Sequence, residues 1–407
     1  MDILIEEFEE NIWAVALKDG QIEALEIDPP NENVRWGSIY WAKVTGIDKT
    51  QDAAYVDLDG DNTGILYNRD VRYTDENGIV HKGGDKEIGK TLTPGDMIAV
   101  QAKTTYIAGS GDDHWGGENK KTQVSMDITL QGRYLIYGIM MQKNTLSSRI
   151  QGKKLRAALE LMLENLDDMQ GFILRSAAAD MQTEILKREA KILQNIWLQI
   201  SVYFEGNEPS LIALGPDSIQ RVLGDTAMKS IDRIEIVTMD HYEQIEDWCT
   251  VFAPDLVTKI HPVELDDASS DLALFEYRDL LGQIESLFHD YVLLPHGGNV
   301  IIQETSALTA IDINSGGDKR GHLAINIEAA HEIGRQIRLR NTGGIVIIDF
   351  LKLNKNDEKE LLKTLKSISL KDPCTVQIHG MTKLGLIELT RNRRTAPLQD
   401  RFEGFAF

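Results

Sequence analysis

Two aspartates stand in settings that allow chemistry. Asp312 follows the apolar run Leu308-Thr-Ala-Ile311 and leads into Ile313, Asn314, Ser315 and the pair Gly316-Gly317. Asp349 closes a second apolar run, Ile345 to Ile348. A helix-length segment separates the runs, so strand, helix and strand would bring both carboxylates to one edge of a sheet. Acids at the ends of buried strands are paired, hydrogen-bonded or metal-bound. A hard cation such as Mg²⁺, with Mn²⁺ as a substitute, is held by one or two carboxylates plus waters and phosphate oxygens. Bound there, it would polarise a phosphodiester and activate a water, which makes hydrolysis of an internal phosphodiester the natural reaction. Asn314 can donate its amide to Asp312 and aim the carboxylate. The competing reading is that each aspartate caps a turn or a helix N-terminus.

Basic residues gather around these acids. Lys319 and Arg320 follow the first motif, Arg335, Arg338 and Arg340 lie on or just past the intervening helix, and Arg391, Arg393, Arg394 and Arg401 cluster later. They could track a phosphate backbone across the edge. The whole chain is acidic, with 43 Lys and Arg against 64 Asp and Glu and a net charge of −21. Bulk charge therefore argues against indiscriminate nucleic-acid binding and leaves a local groove or a metal as the route.

The elements that must position these residues can be read along the chain. At 407 residues, 42% hydrophobic and 26% charged, it has the composition of a globular protein with roughly two to four domains. Cys249 and Cys374 are its only cysteines, without a second ligand nearby, so reduced thiols and no structural zinc are expected. The start, Met1-Asp-Ile-Leu-Ile-Glu-Glu, lacks a signal-peptide pattern, and no run approaches the ~20 apolar residues of a membrane span. A cytoplasmic protein is expected.

Residues 1–28 alternate apolar and polar around the hairpin signal Lys18-Asp19-Gly20-Gln21 and need strands from later in the chain to bury a core. From Gly37, strands at 38–46, 53–58, 63–67 and 97–103, set off by Gly turns, suggest a small oligonucleotide-binding barrel. Tyr55 and Tyr67 could offer stacking faces to unpaired bases, or be plain strand tyrosines. Gly109 to Asn119, with His114 and Trp115, reads as a loop. Helical periodicity covers 153–166 and 180–203, the latter with Met181, Ile185, Ile192, Ile196 and Ile200 on one face. Between them a buried strand ends in Arg175-Ser176, which could grip a terminal phosphate or form a salt bridge between domains. Asp266 to Asp271 reads as an acidic linker and Leu272 to Phe288 as one amphipathic helix.

The chain resembles the bacterial ribonuclease E/G family. The residues that carry the likeness are Ser306 to Gly316, Asn326 to Arg340, Gly343 to Phe350 and Leu384 to Arg391, in order and spacing over about 100 residues. More weakly, Ile39 to Thr45 with Ala53 to Asp57 is similar to the family's S1-motif barrel, and Ile128 to Leu135 with Gly171 to Ser176 to its sensor of RNA 5′ ends. The resemblance implies an α/β and α+β multidomain fold. Its parts would be a ribonuclease-H-like piece split over 1–36 and 212–284, an S1/OB-type barrel with an insertion loop over 37–119, a 5′-sensor-like domain over 120–211 and a deoxyribonuclease-I-like catalytic domain over 285–407.

It implies that Asp312 and Asp349 carry Mg²⁺, that Asn314 orients the first, and that Arg175 with Ser176 binds a 5′-monophosphate. Tyr55, Tyr67, Arg391 and Arg393 would meet the RNA. The expected reaction is internal hydrolysis of single-stranded RNA that leaves 5′-phosphate products, in RNA processing or decay. The family's Cys-Pro-x-Cys zinc link does not follow Arg394, so a zinc-linked tetramer is not expected. Ile65 stands where the family has a stacking phenylalanine, and Lys120-Lys121 where it has Lys-Gly. Two other readings remain: an RNA-binding family member with little or no cleavage activity, and a phosphoesterase of small nucleotides.

Overall fold

The computed structural model describes residues 1–30, 32–75, 80–106, 121–150, 152–164, 169–225, 231–265 and 273–402. The His114–Trp115 loop and the acidic linker 266–271 lie outside them.

Alternating residues form an antiparallel meander, β1 (Asp2–Phe8), β2 (Asn11–Lys18) and β3 (Gln21–Asp28). Asp19 and Gly20, at φ 51° and 79°, make the β2–β3 turn, and two left-handed residues suit the twist of a tight hairpin. The chain then builds β4 (Ile39–Asp48), β5 (Ala53–Asp57), β6 (Thr63–Tyr67), a short hairpin of β7 (Arg72–Thr74) and β8 (Val80–Lys82), β9 (Met97–Thr104) and β10 (Thr122–Ser125). β4 pairs with β5 and β9, β5 with β6, and β10 with both β6 and β9, which closes a five-stranded barrel. Val44, Val56, Leu66, Val100 and Val124 fill its interior. The closing strand β10 comes from beyond residue 119, where the sequence reading had already begun the next unit.

That unit contains β11 (Thr129–Gln131), β12 (Leu135–Gly138), β13 (Thr145–Leu146), α1 (Lys153–Glu164), β14 (Phe172–Leu174) and α2 (Thr183–Ser201), with strand order β11-β12-β14-β13. On α2 the fully buried residues are Leu186, Glu189, Ala190 and Leu193, whereas Ile185 of the expected face is exposed. The stripe is displaced because a carboxylate sits in it. Glu189 accepts the backbone N–H groups of Arg133, Tyr134 and Leu135 at 2.7, 2.9 and 2.7 Å, which lets a polar residue take a core position.

β15 (Ser210–Ala213) returns to pair with β4. α3 (Ser218–Asp225), β16 (Arg233–Ile236), α4 (Met239–Phe252) and β17 (Ile260–Pro262) follow. β16 lies parallel to β1 and β17 parallel to β16, so the opening meander completes a five-stranded sheet with strands more than 200 residues away. That sheet is buried on both faces, Ile3 and Ile5 against α3 and α4, Leu4 and Trp13 against Leu274, Phe275 and Ile284. The amphipathic stretch 272–288 is not one helix: α5 (Ala273–Tyr277) and α6 (Leu281–Glu285) are separated at Asp279, which has φ 56°. The N–H of Leu280 returns to the Phe275 carbonyl at 2.8 Å and ends the first turn run there.

The last unit runs β18 (Tyr291–Leu293), β19 (Asn299–Glu304), β20 (Thr309–Asn314), α7 (His322–Leu339), β21 (Gly344–Asp349), α8 (Lys355–Ser369), β22 (Val376–Met381), β23 (Ile387–Arg391) and α9 (Leu398–Arg401). Its six-stranded sheet has the order β18-β19-β20-β21-β23-β22, with β20 and β21 parallel across the α7 crossover. α7 and α8 cover one face, where Ile325, Ala329 and Ile333, with Leu361 and Leu365, pack on Ile311, Ile313, Val346 and Ile348. The period of two leaves the opposite face of β20, Ala310, Asp312 and Asn314, exposed.

Candidate active site

The open face of the last sheet brings the two aspartates together. Asp312 and Asp349 are register partners on the parallel strands β20 and β21, and neighbouring strands lie about 4.8 Å apart. Asn314, on the same face as Asp312, donates from Nδ2 to Asp312 Oδ2 at 3.0 Å and also contacts Asn299 Oδ1 at 3.3 Å. Both carboxylates are exposed, not buried as the strand pattern suggested, because period-two alternation turns them away from the helices. No lysine or arginine forms an ion pair with either of them among the described residues, and no third Asp, Glu, His or Cys completes a preformed metal cluster there.

Two features hold the geometry. Gly316 lies at φ 51°, and a Cβ there would come within 2.2 Å of the Gly297 carbonyl oxygen, so the loop after Asn314 can pack on the β18–β19 turn only with glycine. Asn326, fully buried on α7, donates to the Leu351 carbonyl at 2.7 Å and accepts the Leu351 N–H at 3.1 Å. This pins the chain two residues beyond Asp349. The sequence reading gave neither Asn299 nor Asn326 a role, although a polar residue in the apolar stripe of α7 was a visible signal.

The arginines divide. Arg391 is buried and donates to both oxygens of Asp372 at 2.9 and 3.1 Å, to Asn341 Oδ1 at 3.0 Å and to the Thr342 carbonyl at 2.8 Å. Its expected contact with RNA gives way to an internal one, since the guanidinium is buried against these partners. Arg335 and Arg338 likewise reach across to β3, to the Ile22 carbonyl and Glu23, and Arg401 to Glu26 and the Ile27 carbonyl. They join units and do not line the edge. Arg393 differs: its guanidinium lies 5.4 Å from the Tyr106 ring centre and has no acidic partner among the described residues.

On the barrel, Tyr55 and Tyr67 are both half-buried on its outer side, with Tyr55 paired to Ile65 and Tyr67 to Ala53. Lys121 Nζ sits 4.0 Å over the Tyr55 ring and the Arg69 guanidinium 5.1 Å from the Tyr67 ring. The Tyr55 hydroxyl donates to Asp48 at 3.3 Å.

Ser176 is exposed, whereas Arg175 turns inward to the Gly132 carbonyl at 2.8 Å and Asp225 at 3.0 Å. Asp225 is also paired with Arg394. Burial alone would push the Asp225 carboxyl up, but the Arg394 and Arg175 guanidiniums hold it below the usual carboxylate range. Burial pulls the Arg175 guanidinium down, against the opposing pull of Asp225.

The chain thus joins a closed five-stranded barrel to an open-faced sheet that carries an aspartate pair and its asparagine. The profile of the Ribonuclease E/G family matches residues 129–394. The chain is 30% identical over 401 residues to ribonuclease E of Haemophilus influenzae, spanning 94% of this chain and 41% of that protein. It is 30% identical over 374 residues to ribonuclease G of Salmonella typhimurium, 88% of this chain and 72% of that protein. Ribonuclease G of Escherichia coli is 29% identical over 370 residues, with the same coverage. The chain belongs to the ribonuclease E/G family, a family of endoribonucleases. Among the described residues, no helix is long and apolar enough to cross a membrane.

Proposed function

We propose that this protein is a Mg²⁺-dependent endoribonuclease that hydrolyses single-stranded RNA internally and leaves 5′-phosphate products, in the processing or decay of RNA in the cytoplasm. The observation that carries the reading is the register pairing of Asp312 with Asp349 on an open sheet face, with Asn314 bonded to the first. Two exposed carboxylates without a cationic partner among the described residues suit a hard cation that keeps most of its waters, so the donor set fits Mg²⁺. Asp312 and Asp349 would hold the ion. When bound, it would supply Lewis-acid stabilisation of the phosphodiester and an activated water.

The protein's own groups do the rest. Asn314, itself braced by Asn299, holds one Asp312 oxygen and so fixes where the carboxylate points. Tyr55 and Tyr67, each beside a cation, form an outer barrel surface on which bases stack while Lys121 and Arg69 meet phosphates. Arg393 adds a phosphate contact. The proposal includes recognition of a 5′-monophosphate by Ser176 and Arg175, supported by the exposed hydroxyl and by the gathering of Arg149, Arg175 and Arg394 around the one carboxylate of Asp225. It also includes the division of the chain into a split ribonuclease-H-like piece (1–36 and 212–284), an S1/OB-type barrel, a 5′-sensor-like unit and a deoxyribonuclease-I-like catalytic unit (285–407). The five-stranded sheet assembled from strands within 2–28 and 233–262 supports that division.

The test uses a 5′-monophosphorylated, A/U-rich single strand with Mg²⁺ or with chelator, and maps the new ends. Internal cuts bearing 5′-phosphates, lost with chelator, are expected; 5′-hydroxyl ends or uncut RNA would overturn the reading. Ser176→Ala should reduce the preference for a 5′-monophosphate over a 5′-hydroxyl, and an unchanged ratio would remove the sensing role.

A further inference from the structure

Away from the aspartate pair, the barrel, α2 and the helices of the first sheet meet around a cleft of about 230 Å³. The cleft is open to solvent on one side and has room for a small ring, an enclosed apolar cavity of roughly 150 Å³ being enough to take benzene. Its apolar wall includes Trp36, Leu193, Ile196, Trp248 and Phe252, with the Trp248 and Phe252 rings 5.6 Å apart. Its polar side includes Gln101 and Lys103 of β9, Thr129 and Gln131 of β11, and Gln220 of α3.

Gln101 is spent: its Nε2 donates to the Gly37 and Thr129 carbonyls, both at 2.9 Å, and its Oε1 accepts from the Thr129 N–H and hydroxyl at 3.0 and 3.2 Å. That same oxygen is the only hydrogen-bond acceptor of Lys103 Nζ among the described residues, at 2.7 Å. An ammonium has three N–H donors, and among the described residues one of them meets a protein acceptor. Burial pulls its pKa down to about 8, against the smaller opposing effects of Asp127 and Asp70. A cation beside an aromatic wall suits an anion with a flat apolar body.

We propose that this cleft is a binding site for a small aromatic acid, a planar ring bearing a carboxylate or phosphate, whose acid group pairs with Lys103 and whose ring lies against Trp248 and Phe252. The lining residues come from the barrel, from α2, and from α3 and α4. An occupant would bridge these units. It does not rest on RNA cleavage, because binding is read directly.

Phenyl phosphate, benzoate and the neutral benzyl alcohol serve as probes, titrated against the full chain by saturation-transfer NMR. Both acids should bind saturably. Lys103→Met, which keeps the stem and removes the charge, should weaken both acids about tenfold or more, the scale of a lost charge-assisted hydrogen bond, and leave benzyl alcohol unchanged. Ile196→Trp, which fills the cleft, should weaken all three. Absence of saturable acid binding to the parent, equal acid affinity in Lys103→Met, or undiminished binding in Ile196→Trp would each overturn the proposal.

Discussion

Replacing Asn326 with alanine isolates the brace behind Asp349. Asn326 makes two hydrogen bonds to the backbone of Leu351, 2.7 Å to its carbonyl and 3.1 Å from its N–H, and is fully buried itself. Alanine leaves one donor and one acceptor unpaired beside a small void. Each such group costs about 1–3 kcal/mol, and Leu351 is only half-buried, so about 2–3 kcal/mol in total is expected. The assay is hydrogen exchange of the Leu351 amide. At about 1.4 kcal/mol per factor of ten, its protection should fall roughly thirty- to a hundredfold, while amides of the barrel keep theirs. Because the freed segment begins beside Asp349, half-saturation of cleavage should also need more Mg²⁺, with RNA affinity unchanged. Unchanged exchange at Leu351, or loss of protection throughout the chain, would refute the idea of a local brace.

Other expectations follow from the same contacts. Burial pushes the Glu189 carboxyl up to about 7 against its three backbone donors. Between pH 4.5 and 7 the folded form therefore holds a proton that the unfolded chain has lost, and stability falls as pH rises through this window by roughly 3 kcal/mol. Burial pushes Glu6 up to about 7 as well, so urea midpoints of the parent should drop from pH 5 to pH 8 and Glu189→Gln should lessen that slope without removing it; equal slopes would rule out a contribution from Glu189. Arg391→Ala leaves Asp372 buried and unpaired and should destabilise by about 3–5 kcal/mol, whereas Arg393→Ala should spare stability and weaken RNA binding in a salt-dependent way, as calorimetry and binding titrations can check. Gly316→Ala should lower cleavage and stability together, because the Cβ collides with the Gly297 carbonyl at a left-handed position.

The parts of this fold legible in the sequence are those written locally. The apolar run Leu308 to Ile311 marked a strand leading to Asp312, and once the strand is seen to continue to Asn314 the two share a face by period two. Asp19-Gly20 announced a hairpin. Exposure was misread, because a run of apolar residues does not say how many faces of the sheet are covered, and here α7 and α8 cover one. The arginines were misread for a related reason. Arg391 finds Asp372, and Arg338 finds Glu23 in a strand more than 300 residues away, so a guanidinium that looks like a phosphate contact in one dimension is an internal ion pair in three. α2 was displaced because Glu189 looked like a surface residue until the backbone of β12 arrived to meet it. The helix across Asp279 was over-extended because a single left-handed residue breaks a run that periodicity alone would continue.

The central claim is that Asp312 and Asp349 act as a pair held in register with Asn314. It is tested most directly by single-turnover cleavage of one single-stranded RNA across a Mg²⁺ titration, with the parent beside Asp312→Asn and Asp349→Asn. Cleavage by the parent that rises and saturates with Mg²⁺, and at least a hundredfold loss in each variant with RNA binding retained, about 3 kcal/mol at the transition state, is the expected result. Parent-like cleavage by either variant, or a parent rate indifferent to Mg²⁺, would contradict it.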